Sequence, residues 1–184
     1  MTEKTKNGAL YEDVIAAPEM KIAELVGGDL YLSPRPAMRH SKVASMLGAD
    51  LSDAFHRGRT GPGGWWILDE PELHFGSDVL VPDIAGWRRE RLPEIPDAGW
   101  MELAPDWLCE VLSPSTERFD RRLKLPLYAA AGVEHLWLLD PGNRTLEVYG
   151  RMGASWVLLE THREDATVHT PPFEAVGIEL APVW

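Results

Sequence analysis

The chain is short of cysteine, of positive charge and of long apolar runs, and each shortage removes a class of protein. A single cysteine, Cys109, in 184 residues allows no internal disulfide and no cysteine-built zinc framework. No run approaches the roughly 18 apolar residues of a membrane helix. The opening MTEKTKNGALYEDV has lysines but no apolar stretch after them, so no secretory signal is expected there. The expected compartment is the cytoplasm, with no membrane partner. Lys and Arg number 18 against 29 Asp and Glu, a formal net charge of -11. A protein that gathers nucleic acid by bulk attraction to phosphate is thereby excluded, and any such partner has to be held by a local site. No repeat, low-complexity tract or linker divides the chain. One domain over residues 1–184 is expected, with 1–20 as an N-terminal extension.

What is present is an ordinary globular balance, 45% hydrophobic and 26% charged, with length enough for a substantial core. Eight tryptophans point to a well-filled core, or to aromatic surface at a cleft or subunit contact. Leu10 to Ala17 reads as a short helix ended by Pro18. IAELVGGDLYLSPRP sets two apolar runs around Gly27-Gly28, a β-hairpin signature, with Pro34 and Pro36 stopping the second strand. Val43, Leu47, Leu51 and Phe55 recur at steps of four and predict an amphipathic helix over His40–Phe55. GRTGPGG at 58–64 is a loop, and without the lysine and Ser/Thr of a phosphate-binding loop its GPGG is no such motif. Strands are expected at 65–68, 79–87 and 106–113, the last two separated by a charged surface excursion. DRRLKLPLYAAAG predicts a helix over 120–132 closed by Gly132, with Pro126 kinking it or marking its true start. HLWLLD, TLEVYG and SWVLLE form a closing meander, and the whole reads as mixed α/β.

The informative feature is a pair of carboxylates set in apolar strands. Asp83 lies in LVPDIAGW, and Glu110 in WLCEVLS, sharing a strand face with Leu108 and Leu112 if alternation holds. Burying an unpaired carboxylate costs several kcal/mol, and a divalent cation is one efficient compensation. Asp120, Lys124 and Tyr128 stand four apart and line one side of the following helix. Taken alone, that spacing reads first as an exposed Asp120–Lys124 ion pair over a packed Tyr128, worth well under ~1 kcal/mol.

These segments together resemble a known family. E-L-x-x-G-x-L-Y-L-S-P-x-P-x-x-x-H is followed by V-P-D-I-A-G-W, P-D-W-L-C-E-V-L-S-P-S-T, D-x-x-x-K-x-x-x-Y-x-x-x-G-V and W-L-L-D-P. The chain is similar in this to the Uma2 (DUF820) family of the PD-(D/E)XK superfamily, from about Glu24 to Tyr149. The resemblance implies a restriction-endonuclease-like mixed β-sheet core flanked by helices. It further implies Mg²⁺ or Mn²⁺ held by Asp83, Glu110 and the carbonyl of Val111, and a lysine that positions and activates the attacking water. The superfamily lysine would fall two residues after the acid, where this chain has Leu112. A migrated lysine, Lys124, is implied instead.

Other residues have two readings. Glu24 is either an N-terminal member of the metal site or a hairpin-edge charge. His40 is either a phosphate contact or a structural residue at the helix start, with the structural role preferred. Ser113 and Ser115 shape the turn around Pro114, Cys109 is a buried small hydrophobe on the opposite strand face, and Glu70 and Glu72 decorate a loop. Arg35, Arg39, Lys42, Arg88, Arg89, Arg91, Arg118, Arg121 and Arg122 form either a basic rim around the site or ordinary solvated charges. The function expected is metal-dependent hydrolysis of nucleic acid, with DNA the expected substrate and a homodimer the expected assembly. The alternative is a nuclease-like fold without catalysis, acting as a dimeric binding or assembly module. Hydrolysis of a sugar by paired carboxylates is a third possibility.

Overall fold

Gly27 and Gly28 both take left-handed backbone, φ +59° and +79°, the pair of angles that lets a two-residue turn match the twist of its strands. In this computed structural model, which describes residues 1–184, the turn joins two antiparallel strands, Lys21–Val26 and Asp29–Pro34. Strands are numbered in chain order: β1 (Glu3–Asn7), β2 and β3 (the hairpin), β4 (Trp65–Asp69), β5 (Leu73–Phe75), β6 (Asp78–Leu80), β7 (Ile84–Arg88), β8 (Trp107–Val111), β9 (His135–Asp140), β10 (Thr145–Met152), β11 (Ser155–Arg163), β12 (Thr167–Val168) and β13 (Ile178–Glu179). One sheet has the order β1-β3-β2-β6-β5, a second β11-β10-β9-β8-β7-β4, and β12 pairs with β13. Residues 1–20, read from sequence as an extension, supply the edge strand β1 on β3 and a short helix α1 (Tyr11–Ile15).

The segment 79–87, expected as one strand, is two strands in two sheets. β6 pairs with β2 and β5, whereas β7 pairs with β4 and β8. Pro82 has no N–H to give a ladder and holds its φ near −65°. The chain therefore leaves one sheet at Leu80 and enters the other at Ile84.

Helix α2 (Met38–Leu51) buries Val43, Leu47 and Leu51 completely, and a five-residue π turn (Ser52–His56) carries Phe55 onto the same core. β8 and β9 run parallel, which requires a long crossover. The helical stretch α3 (Glu117–Phe119), a π turn (Asp120–Lys124) and α4 (Leu125–Ala131) supplies it, closed by Gly132 at φ +95°. Pro126 stands in the first turn of α4, the start expected of it, where its missing N–H costs least. The wide turn just before it carries the Leu125 N–H to the Asp120 carbonyl, absorbing the donor that proline lacks.

Alternation along β8 places Trp107, Cys109 and Val111 in the core under α2, and Leu108 and Leu112 in the core under α4 with Tyr128. Glu110 therefore faces the α4 side. Trp87, Trp107 and Trp137 are wholly buried, while Trp100 in the 89–105 excursion is 41% exposed. Gly86 in β7 has no space for a side chain: a Cβ would lie 3.1 Å from Ile67 and 3.3 Å from both Trp65 and Trp107. Gly86→Ala is expected to cost about 1–3 kcal/mol of overpacking. Thermal denaturation should show this as a fall of about 3–10 °C in Tm.

Candidate active site

The break at Pro82 decides where Asp83 stands. It was expected on a strand; it occupies the turn between β6 and β7, its side chain 14% exposed. Its Oδ1 lies 2.7 Å from Nε2 of His40 on α2, and its Oδ2 accepts the Val111 N–H at 2.7 Å. Continuing the β7–β8 register from Ile84↔Cys109 sets Pro82 opposite Val111. N–H and C=O of one strand residue point to the same side, so the Val111 carbonyl faces that edge too, where proline has no N–H to offer it.

Lys124 is the centre of the cluster. Its Nζ donates to the Val81 carbonyl at 2.9 Å and lies 2.8 Å from Glu110 Oε1 and 2.9 Å from Glu24 Oε1, with Asp120 Oδ1 at 3.9 Å. The Tyr128 hydroxyl donates to Glu110 Oε1 at 2.7 Å, and the Val81 N–H to Glu24 Oε1 at 3.0 Å. Burial separates two pairs of alternatives here. Asp120 and Lys124 are not an exposed pair, since both are buried, and Glu24 is not an edge charge but a buried member of the cluster. His40 is held as the neighbour of Asp83 in the role preferred for it. Val81 was not anticipated, although a residue before proline is held extended with its amide and carbonyl available.

Glu24, Asp83, Glu110 and Asp120 converge on one ammonium and one imidazole, in a cavity of about 200 Å³ that Ser113 and Ser115 also line. Burial holds the Glu110 carboxyl well above the usual range, against the downward pull of Lys124. Burial likewise raises Asp120 to about 7, again opposed by Lys124 and reinforced by Glu24. Burial alone would lower Lys124, but the charges of Glu110 and Glu24 outweigh it and hold the ammonium protonated. His40 is lowered by burial and raised more by Asp83, so that its net shift is upward. The second oxygens of Glu110 and Glu24 have no hydrogen-bond partner and are not sealed off, opening onto the cavity.

This excess of carboxylate over positive charge fits a hard divalent cation. No three His, Cys, Asp or Glu side chains are grouped so as to hold a metal ion among themselves; magnesium is commonly bound by one or two carboxylates with water and phosphate.

The basic rim is mostly elsewhere. Arg88 lies over the ring of Trp65 and Arg89 over that of Trp66, Arg91 pairs with Asp106, and Arg121 with Glu147 and Glu117. Lys42 donates to the Trp184 carbonyl. Only Arg35 and, in an adjoining cavity, Arg39 line the approach. Ser113 and Ser115 form the expected turn, their hydroxyls 2.8 Å apart. Cys109 is buried on the opposite face with its thiol pushed up by burial, and is no nucleophile. Glu72 accepts from the Tyr11 hydroxyl and lies against His74. Glu70, in left-handed backbone at φ +46°, gives its N–H to the Asp83 carbonyl and so fixes the turn that carries Asp83.

A mixed sheet with a lysine-centred acidic cluster at a strand break is the frame of a restriction-endonuclease-like fold. The chain belongs to the Uma2 family, described as "Putative restriction endonuclease", whose profile matches residues 10–182. Among solved structures it is similar to the crystal structure of a "putative nuclease belonging to DUF820" from Anabaena variabilis ATCC 29413. That likeness has a TM-score of 0.76 at 24% identity, covering 95% of this chain and 97% of the other. No curated protein matches.

Proposed function

We propose that this protein is a metal-dependent nuclease that hydrolyses phosphodiester bonds of nucleic acid, DNA being the expected substrate. The observation that supports this most directly is the convergence of Asp83, Glu110 and Lys124 on one cavity. Asp83, Glu110 and the Val111 carbonyl are the groups that would hold Mg²⁺ or Mn²⁺. When bound, such an ion supplies a Lewis acid for the phosphoryl oxygen and a water of lowered pKa. Tyr128 fixes the Glu110 carboxylate, and Glu24 fixes the Lys124 ammonium. All three Lys124 donors are occupied, so Lys124 reaches the attacking water or a phosphate oxygen by exchanging one carboxylate partner. There it orients the water or stabilises the negative charge growing on the phosphoryl oxygens.

The test is a cleavage screen of single- and double-stranded DNA and RNA with Mg²⁺ or Mn²⁺, run with and without EDTA. No cleavage, no metal-induced rise in Tm and tight self-association would instead favour a non-catalytic dimeric module.

Cation binding is also expected to release protons at pH 7, because Asp120 titrates near 7 and Glu110 is held high. Calorimetry in buffers of different ionisation enthalpy reads this directly. Asp120 binds its proton more tightly folded, near 7, than at its ordinary 3.8. Metal-free stability should therefore fall as pH rises from about 5 to about 7. Asp13, Glu147 and Glu160, held below their ordinary values, act below that window. His135, lowered by burial, works against the fall inside it, one group against the raised Asp120 and Glu110. Saturating Mg²⁺ should flatten the fall. His40→Ala is expected to weaken Mg²⁺ binding about 10–100-fold by freeing Asp83 Oδ1, read by the same titration.

A further inference from the structure

The reacting groups lie deep. The Glu110 and Lys124 side chains are each 3% exposed, and their cavity, about 200 Å³, is below the size of ordinary ligand pockets. It does not end there. Ala37, His40 and Ser113 also line a second depression of about 400 Å³, toward Pro114 and the 140–143 turn, while His40 and Asp83 line a third of about 250 Å³ on the other side. The three form one track that crosses the start of α2, with the acidic cluster in the middle.

The charge along this track is sparse. Arg35 lines the central cavity and Arg39 the second, and neither has a carboxylate partner. The acids of the second depression are committed elsewhere: Glu117 to Arg121, and Asp140 to the amides of Gly142 and Asn143. Asp69 and Glu70, by contrast, line the third without a cationic partner, so flanking phosphate is favoured on the Arg35 and Arg39 side. Two guanidinium groups without a carboxylate partner, that of Arg35 donating to the Glu19 carbonyl at 2.9 Å, are far fewer than the roughly 6–10 phosphate contacts of a protein bound to duplex DNA. The chain as a whole, at net charge -11, repels a polyanion. A duplex is also a stiff rod on this scale, and its phosphates cannot be pressed into a narrow recess without unpairing. An unpaired strand can bend its backbone into one.

Resting on the nuclease reading above, we infer that the site takes an unpaired strand or strand end rather than a duplex. Arg35 and Arg39 are positioning residues that hold the phosphates flanking the scissile one. No Phe, Tyr or Trp ring lines the track, His40 being its one aromatic side chain, so the strand is held through its phosphates more than by base stacking.

The experiment measures binding of a labelled oligonucleotide by anisotropy with Ca²⁺ in place of Mg²⁺, as unpaired DNA, unpaired RNA and the matching DNA duplex, across a salt series. Expected is at least about tenfold tighter binding of the unpaired form of either polymer than of the duplex. The R35Q/R39Q double variant should lose about tenfold on the unpaired strand, and its log–log salt slope should flatten by about 1.4, two phosphates at about 0.7 each. Its Mn²⁺-induced rise in Tm should persist, showing an intact site. Duplex binding as tight as that of the unpaired strand, or an unchanged salt slope in the double variant, overturns the inference. Hydrolysis of bis(4-nitrophenyl) phosphate by the wild type with Mn²⁺ separately reports the nuclease reading, because that diester needs no flanking phosphate.

Discussion

Lys124→Ala is expected to abolish cleavage, to keep the metal response, and in metal-free buffer to lower stability by about 3–5 kcal/mol. That cost corresponds to a fall in Tm on the order of 10 °C for a chain of this size. The reason lies in what the ammonium leaves behind. Glu24, Glu110 and Asp120 are each at most 4% exposed, and Lys124 is the one positive charge that all three approach. Without it they must take up protons or remain as uncompensated charge in a medium of low dielectric. Mg²⁺ should restore much of the lost stability by supplying charge at the same place, a larger stabilisation than it gives the wild type. Lys124→Met, which keeps the side-chain volume, separates lost charge from lost packing and should behave alike. A Lys124→Ala protein that cleaves at the wild-type rate would remove the lysine from the mechanism.

Asp83→Asn should lose both cleavage and the metal-induced rise in Tm. The amide keeps the shape of the carboxyl and can still accept the Val111 N–H and donate to His40, so the turn between β6 and β7 is expected to hold and metal-free Tm to change little. What disappears is the anionic oxygen. An interaction worth several kcal/mol of transition-state stabilisation corresponds to a rate loss of about 10³-fold. Single-turnover cleavage with saturating Mg²⁺ reads the rate, and calorimetry reads the metal. Retained metal affinity in the Asn variant would mean that Glu110 and Glu24 hold the ion between them, and Asp83 would leave the ligand set.

Much of this arrangement was legible before any coordinates. The hairpin at Gly27-Gly28 followed from the glycine pair between apolar runs, and α2 from the four-residue recurrence of Val43, Leu47 and Leu51. The opposed faces of β8, with Cys109 on one and Glu110 on the other, followed from alternation. Each is a local rule, in which residues within a few positions determine backbone angles and the face a side chain takes. Asp83, Glu110 and Lys124 were singled out as a group by motif order and by resemblance, since no periodicity connects residues so far apart in the chain.

The rest required distant contacts. Whether Glu24 was an edge charge, and Asp120–Lys124 a solvated pair, depended on what covered them. The hairpin, the Pro82 break and the crossover helix meet from positions as far apart as residues 24 and 124, and their meeting removes water from all three groups. The arginines near the site in sequence were likewise assigned by tertiary structure, four of the eight to tryptophan rings and carboxylates elsewhere. The amino-acid order by itself determined the elements and supplied the charges, because backbone preference and side-chain period are short-range. Only the packed structure decided which charges lose their water and which must neutralise one another, because desolvation depends on every neighbour within a few ångströms, whatever its distance along the chain.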